Sequence, residues 1–227
     1  MEKRKKRGVE SRDHPTQRRT RTRSRALKVE EKKNTALTGA NLDVQGQYGD
    51  TALIFASYEG HAEIVKTLVG AGANLDVQNE HGSTALILAA DWGHTEIAKA
   101  LVTAGANLDV QSIKGFTALI CAASKSHTEV TKALVGAGAN LDVQNEYGDT
   151  ALICAASWGH TEIAVAVVSA GANLDVQNNK RNTALILAVS WGQTDIVKAL
   201  VRAGANLDKQ NEYGDTALIL AASKGHT

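Results

Sequence analysis

Four histidines, His61, His94, His127 and His160, stand 33 residues apart, and the two cysteines, Cys121 and Cys154, keep the same interval. Imidazoles and thiols are the side chains most used for metal binding and nucleophilic attack, so a metal centre or a catalytic pair is the first chemistry to weigh. The regular spacing argues against both. Side chains one period apart in a repeating chain lie a whole structural step from each other, too far to share a metal whose bonds are about 2 Å long. Gln193 fills the fifth place of the histidine series, an exchange that a shared catalytic duty would not tolerate. For the thiols, stacked helices lie about 8–10 Å apart, whereas a disulfide needs Cα atoms within about 7 Å. Their slot is filled elsewhere by Phe55, Leu88, Leu187 and Leu220, so both are expected to be reduced, inert core residues.

The remaining candidates dissolve in the same way. Gly70-Ala71-Gly72 and Gly136-Ala137-Gly138 look like phosphate-cradling loops, but a dinucleotide fingerprint needs a third glycine between a strand and a helix, and these glycines close a helix. The acids Asp43, Asp76, Asp109, Asp142, Asp175 and Asp208 recur with the period and belong to it. No nucleophile–base pair, metal cluster or phosphate loop stands apart from the repeat. The expectation is a protein that is not an enzyme, with no cofactor and no small-molecule substrate.

The elements behind this regularity are written in one phrase, which first reads GDTALIFASYEGHAEIVKTLVGAGANLDVQNEH. Glycine markers at Gly49, Gly82, Gly115 and Gly148, then Arg181 and Gly214, open successive units. Asp50 or Thr51 is placed to cap a two-turn helix through Ala52, Leu53, Ile54 and Ala56, which Gly60 ends. A second helix follows, with Glu63 in its first turn and Ile64, Val65, Leu68 and Val69 on one face. Asn74 to Gln78 alternates like an extended strand, and Asn79 to Gly82 carries turn chemistry. No such unit can bury its apolar side alone, so the units must stack.

Period, GH turn, AGA helix end and Asp-containing finger together resemble the ankyrin repeat, over residues 41 to 227. The resemblance implies an all-α solenoid of helix pairs with β-hairpin-like fingers. The sequence departs from the family's TPLH at every repeat: Ala52, Ala85, Ala118, Ala151, Ala184 and Ala217 replace proline, and isoleucine replaces histidine. Some pre-organisation is lost and apolar burial is gained, so the fold is expected to survive. The organisation is then a basic arm over residues 1–33 and a degenerate half-repeat or cap over 34–48, where Glu31 and Lys32 precede it in place of Ile64 and Val65. Five repeats follow at 49–81, 82–114, 115–147, 148–180 and 181–213, and a truncated sixth occupies 214–227. The missing second helix of that unit favours a fragment of a longer protein.

Where the copies disagree, function is to be sought. In proteins of the resembled family the variable places line a concave groove and finger tips that grip protein partners. Here those places hold Trp92, Trp158, Trp191, Phe116 and Lys125, with Tyr147 and Tyr213 at finger tips. Trp158 and Trp191, in adjacent units, would form one patch flanked by the two tyrosines, and Trp and Tyr are the types most enriched at binding hot spots. The competing reading lays each indole flat over its own helix end as a shield. Ile113, Lys114, Phe116 and Lys125 make a second candidate centre in the middle unit, which also carries Ser126 where a left-handed glycine is expected and so becomes a soft joint.

The charge is segregated. Residues 1–33 hold fourteen Lys or Arg against five acids, a balance of +9, and the rest holds eleven against nineteen, a balance of −8. Lys3, Arg4, Lys5, Lys6 and Arg7, followed after a spacer by Arg18, Arg19 and Arg21, resemble a bipartite nuclear-import signal. Nucleic-acid contact and a solubilising tail are the competing readings of this arm. No apolar run approaches the about 18 residues of a membrane span, and no signal peptide is visible, so the chain is expected inside the cell, in nucleus or cytoplasm. The leading expectation is an interaction module that grips a protein. The alternatives are the targeting arm of a larger enzyme, such as a ubiquitin ligase or kinase, and a nuclear factor led by its arm.

Overall fold

A computed structural model of the chain describes residues 39–225, and all that follows belongs to the compact unit Asn41–Thr227. The arm, including Lys3 to Arg7, Arg18, Arg19 and Arg21, lies outside the described residues, as do Glu31 and Lys32. Among the described residues there are eleven helices and no strand. The first helices of the repeats are α1 (Ala52–Tyr58), α3 (Ala85–Asp91), α5 (Ala118–Ser124), α7 (Ala151–Trp158), α9 (Ala184–Ser190) and α11 (Ala217–Lys224). The second helices are α2 (Ala62–Gly70), α4 (Thr95–Thr103), α6 (Thr128–Gly136), α8 (Thr161–Ser169) and α10 (Thr194–Arg202). First helices pack on first helices of neighbouring repeats and second on second, which makes two layers joined within each repeat.

Each first helix begins at a threonine whose Oγ1 accepts the main-chain N–H three residues on, as Thr51 does from Ile54 at 3.2 Å and Thr117 from Ile120 at 3.2 Å. Thr51, and not Asp50, is therefore the cap, worth about 1 kcal/mol. The following alanine, in the place of the family's proline, is fully buried in the middle repeats (Ala85, Ala118, Ala151, Ala184). The helix ends after two turns because the chain must reverse into the second helix through a left-handed residue. Gly93 shows why glycine serves there: its φ is +73°, and a Cβ on it would lie 2.5 Å from the His127 ring. Ser126 takes the same conformation, with φ +64°, despite its side chain.

The recurrent polar residues are the stitching between repeats. His94 Nε2–H donates to the carbonyl of Tyr58 at 3.0 Å, and His127 to that of Asp91 at 3.1 Å. Asp76 Oδ1 accepts the N–H of Asn107 at 2.8 Å, and Asp43, Asp109, Asp142 and Asp175 each do the same for the next repeat. Gln78 Nε2 donates both to Gly82 within its finger and to Gln111 in the next. Lys66 bridges Glu63 and Glu96, and Lys132 bridges Glu129 and Glu162, on exposed surface where such pairs contribute little.

The finger is not a strand. Its alternation is real as exposure, with Leu75 and Val77 half-buried and Asn74, Asp76 and Gln78 exposed. Yet the backbone turns at Leu75–Asp76, where Asn74 Oδ1 captures the Asp76 N–H at 3.1 Å. Neighbouring fingers then share a single main-chain bond, such as Glu80 N–H to Tyr48 O at 3.1 Å, which is too little for a ladder.

The core runs along the first helices and the inward face of the second, with Leu53, Ile54, Leu86, Ile97, Leu101, Leu119 and Ile120 fully buried. The slot shared by the cysteines departs from its expected core position. Phe55 is 56% exposed and Leu88, Leu187 and Leu220 are half-exposed; only Cys121 and Cys154 are buried. Two hydroxyls, Ser57 Oγ and Thr131 Oγ1, are fully buried with no hydrogen-bond partner among the described residues.

Candidate binding surface

Trp92, Trp158 and Trp191 occupy one place in three repeats, where the chain leaves the first helix, and Lys125 and Lys224 hold the same place in two others. An indole laid over its own helix end would be largely covered. Instead Trp92 is 53% exposed, Trp158 69% and Trp191 65%. Burying a large apolar side chain stabilises by about 1.5–3 kcal/mol, and these three forgo most of that.

The aromatic contacts do not run as expected. Tyr58 packs edge-to-face on Trp92, with ring centroids 5.3 Å apart. Tyr147 packs in the same way on Phe116, at 6.5 Å. The Lys224 ammonium stands 5.9 Å from the centre of the Trp191 ring and donates to the carbonyl of Ser190 at 2.6 Å. No ring contact joins Trp158 to Trp191 among the described residues, and Tyr213, 80% exposed, touches neither ring.

A cavity of about 510 Å³ opens instead at the middle unit, lined by Leu88, Ile113, Phe116, Cys121, Lys125 and Tyr147, among others. Phe116, Lys125 and Tyr147 were legible as surface residues; Leu88 and Cys121 were not. The available signal was that their slot varies between Phe, Leu and Cys amid near-constant neighbours. Burial pushes the Cys121 thiol well above its ordinary range, helped by the nearby Asp91 charge, and raises Cys154 to about 11 despite a hydrogen bond with Ser124. Neither is a thiolate at neutral pH, so neither is poised as a nucleophile. Among the described residues no group of three or more His, Cys, Asp or Glu is arranged to hold a metal ion, and no helix is long and apolar enough to cross a membrane.

The family model described as "Ankyrin repeats (3 copies)" matches residues 29–112, 105–178 and 164–227. The chain belongs to the ankyrin repeat family. Among solved structures it is similar to that described as "Crystal Structure of EF0377 an Ankyrin Repeat Protein", with 31% identity and a TM-score of 0.73 over 77% of this chain and 92% of that one. No curated protein sequence matches it. Ankyrin repeats are in general protein–protein interaction modules and are typically not catalysts. The constant His, Asp, Gln and Gly of this ankyrin stack are its stitching, and the three indoles at the helix ends stay more than half exposed beside it.

Proposed function

We propose that this ankyrin repeat stack is a non-enzymatic module that binds a polypeptide partner across its helix ends and finger tips. The carrying observation is the row of tryptophans, each more than half exposed, in a protein with so few aromatic residues. Trp92 meets Tyr58 and Trp191 meets Lys224 of the neighbouring repeat, yet each indole keeps more than half its surface free, and Trp is among the residue types most enriched at interface hot spots. Phe116, Lys125, Tyr147 and Tyr213 belong to the same surface, the first three around the central cavity and Tyr213 at a finger tip.

The reading is tested with random-sequence peptides selected by display on the wild-type chain. Affinity of a selected peptide is compared between that chain and the Trp158→Ala/Trp191→Ala variant. A loss of about 100-fold with an unchanged melting temperature supports it. Affinity retained within about twofold refutes it.

A further inference from the structure

We propose that the cavity at the third repeat receives an acidic segment of the partner, which seats one large apolar side chain against Leu88, Cys121 and Phe116 and sets a carboxylate toward Lys125. This rests on the reading that the face binds a polypeptide, and it names the chemistry of what is bound. Its volume, about 510 Å³, falls within the range of about 300–1,000 Å³ of pockets that enclose ligands. Ile87, Leu88, Ile113, Phe116, Cys121 and Tyr147 supply apolar lining, so the insert is a bulky apolar group.

The charge is the selective element. The described stack carries nineteen acids against eleven bases, yet this cavity is lined by two ammonium groups, Lys114 and Lys125, and one carboxylate, Asp91, with His81 beside them. Lys114 already faces Glu146 at 3.7 Å, and His81 faces Glu80 at 3.7 Å. Lys125 makes no ion pair among the described residues, Asp91 included. An acidic group arriving here finds a local cation on an otherwise anionic surface, and Asp91 restricts that acid to the side of Lys125.

A second observation points to the same place. The first and fourth repeats are each closed by a side-chain bond, Asn79 Nδ2 to Asp50 and Asn178 Nδ2 to Asp149, both at 2.8 Å. The corresponding pairs Ser83 with Ser112, Phe116 with Asn145 and Asn182 with Asn211 form no such bond among the described residues, and only the pair of the third repeat places an aromatic ring there. Phe116 stands where Asp50 and Asp149 accept that bond, and Ile113, 76% exposed, stands where other repeats hold Glu80 and Glu146, so apolar lining takes the place of polar groups here. A peptide fits better than a small organic acid because exposed Trp92 and Trp158, one repeat before and one after Lys125, extend the surface beyond the cavity on both sides.

The test is random-peptide display on the wild-type chain and on Lys125→Glu, followed by fluorescence anisotropy of the selected peptides and of versions with Asp and Glu exchanged for Asn and Gln. Lys125 is exposed, so the variant keeps its melting temperature, which is checked. The wild type is expected to select Leu, Phe or Met with Asp or Glu within about three positions, and the amide versions to bind at least about tenfold more weakly. Lys125→Glu is expected to select Lys or Arg at that position. Charge-indifferent peptides, or an unchanged selection on Lys125→Glu, overturn the proposal. Should those same peptides still lose affinity on Trp158→Ala/Trp191→Ala, the wider binding surface stands without it. If N-acetylphenylalanine or N-acetylleucine binds as tightly as the whole peptide, the cavity is a small-molecule site and the proposal also fails.

Discussion

His160 Nε2 lies 3.3 Å from the carbonyl oxygen of Ser124, the longest of the three such contacts, and Ser126 sits in the turn between them with φ +64°. In the equivalent turns a Cβ at Gly60 or Gly93 would stand 2.7 or 2.5 Å from the histidine ring of the next repeat. Ser126 brings a Cβ to that place. Ser126→Gly is expected to raise stability by about 0.5–1 kcal/mol, the left-handed strain relieved less the entropy gained by the unfolded chain. Urea denaturation reads the midpoint; an unchanged or lowered value contradicts a strained turn.

Thr131 is buried with its hydroxyl unpaired, whereas the same slot holds Val65, Ala98, Ala164 and Val197 in the other repeats. Thr131→Val keeps the shape and removes the desolvated oxygen, so it is expected to stabilise by about 1 kcal/mol. Ser57→Ala should act in the same direction. Loss of stability in both variants would show that the hydroxyls have partners.

Asp109 Oδ1 accepts the Asn140 N–H at 2.8 Å, while Asp208, in the same slot, accepts no such bond among the described residues. Asp109→Ala is expected to cost about 1 kcal/mol in thermal or urea melts, and Asp208→Ala to change stability by less than about 0.5 kcal/mol. Equal effects would mean that the residue acts only within its own turn.

Asp149 is half-buried and accepts Asn178 Nδ2–H at 2.8 Å. Burial raises its pKa above the ordinary 3.8, and the Asn178 bond and the Lys180 charge only partly oppose this. The folded chain therefore holds this proton more tightly than the unfolded one. Its stability from this group rises as pH falls from the folded value to the ordinary one, and above that window the charged form is a liability. Asp149→Asn keeps an acceptor without the charge. The variant is expected to be at least as stable as wild type at pH 7, with any advantage vanishing on acidification through the window; a deficit at pH 7 that closes on acidification contradicts the sign.

The repeat, the threonine caps, the left-handed turn at Ser126 and the exposure of the tryptophans were legible because each follows from a residue and its near neighbours. The Asp, Gln and His stitching was legible only as recurrence, since each partner lies in the next repeat. Cys121 and Cys154 are free and buried as expected, but the exposure of Phe55, Leu88, Leu187 and Leu220 in the same slot was not legible: a helix such as Ala118–Ser124 is apolar almost all round, so its pattern does not say which face meets solvent. The cavity depends on His81, Leu88 and Cys121 arriving from three repeats, a juxtaposition that stacking creates.

We propose the exposed indoles as a binding surface and not as part of the scaffold. The most direct measurement sets the affinity of a display-selected peptide for Trp158→Ala/Trp191→Ala beside the melting temperature of that variant. The expected result is a loss of about 100-fold or more at an unchanged melting temperature. Full affinity, or a lowered melting temperature that accounts for the loss, would contradict it.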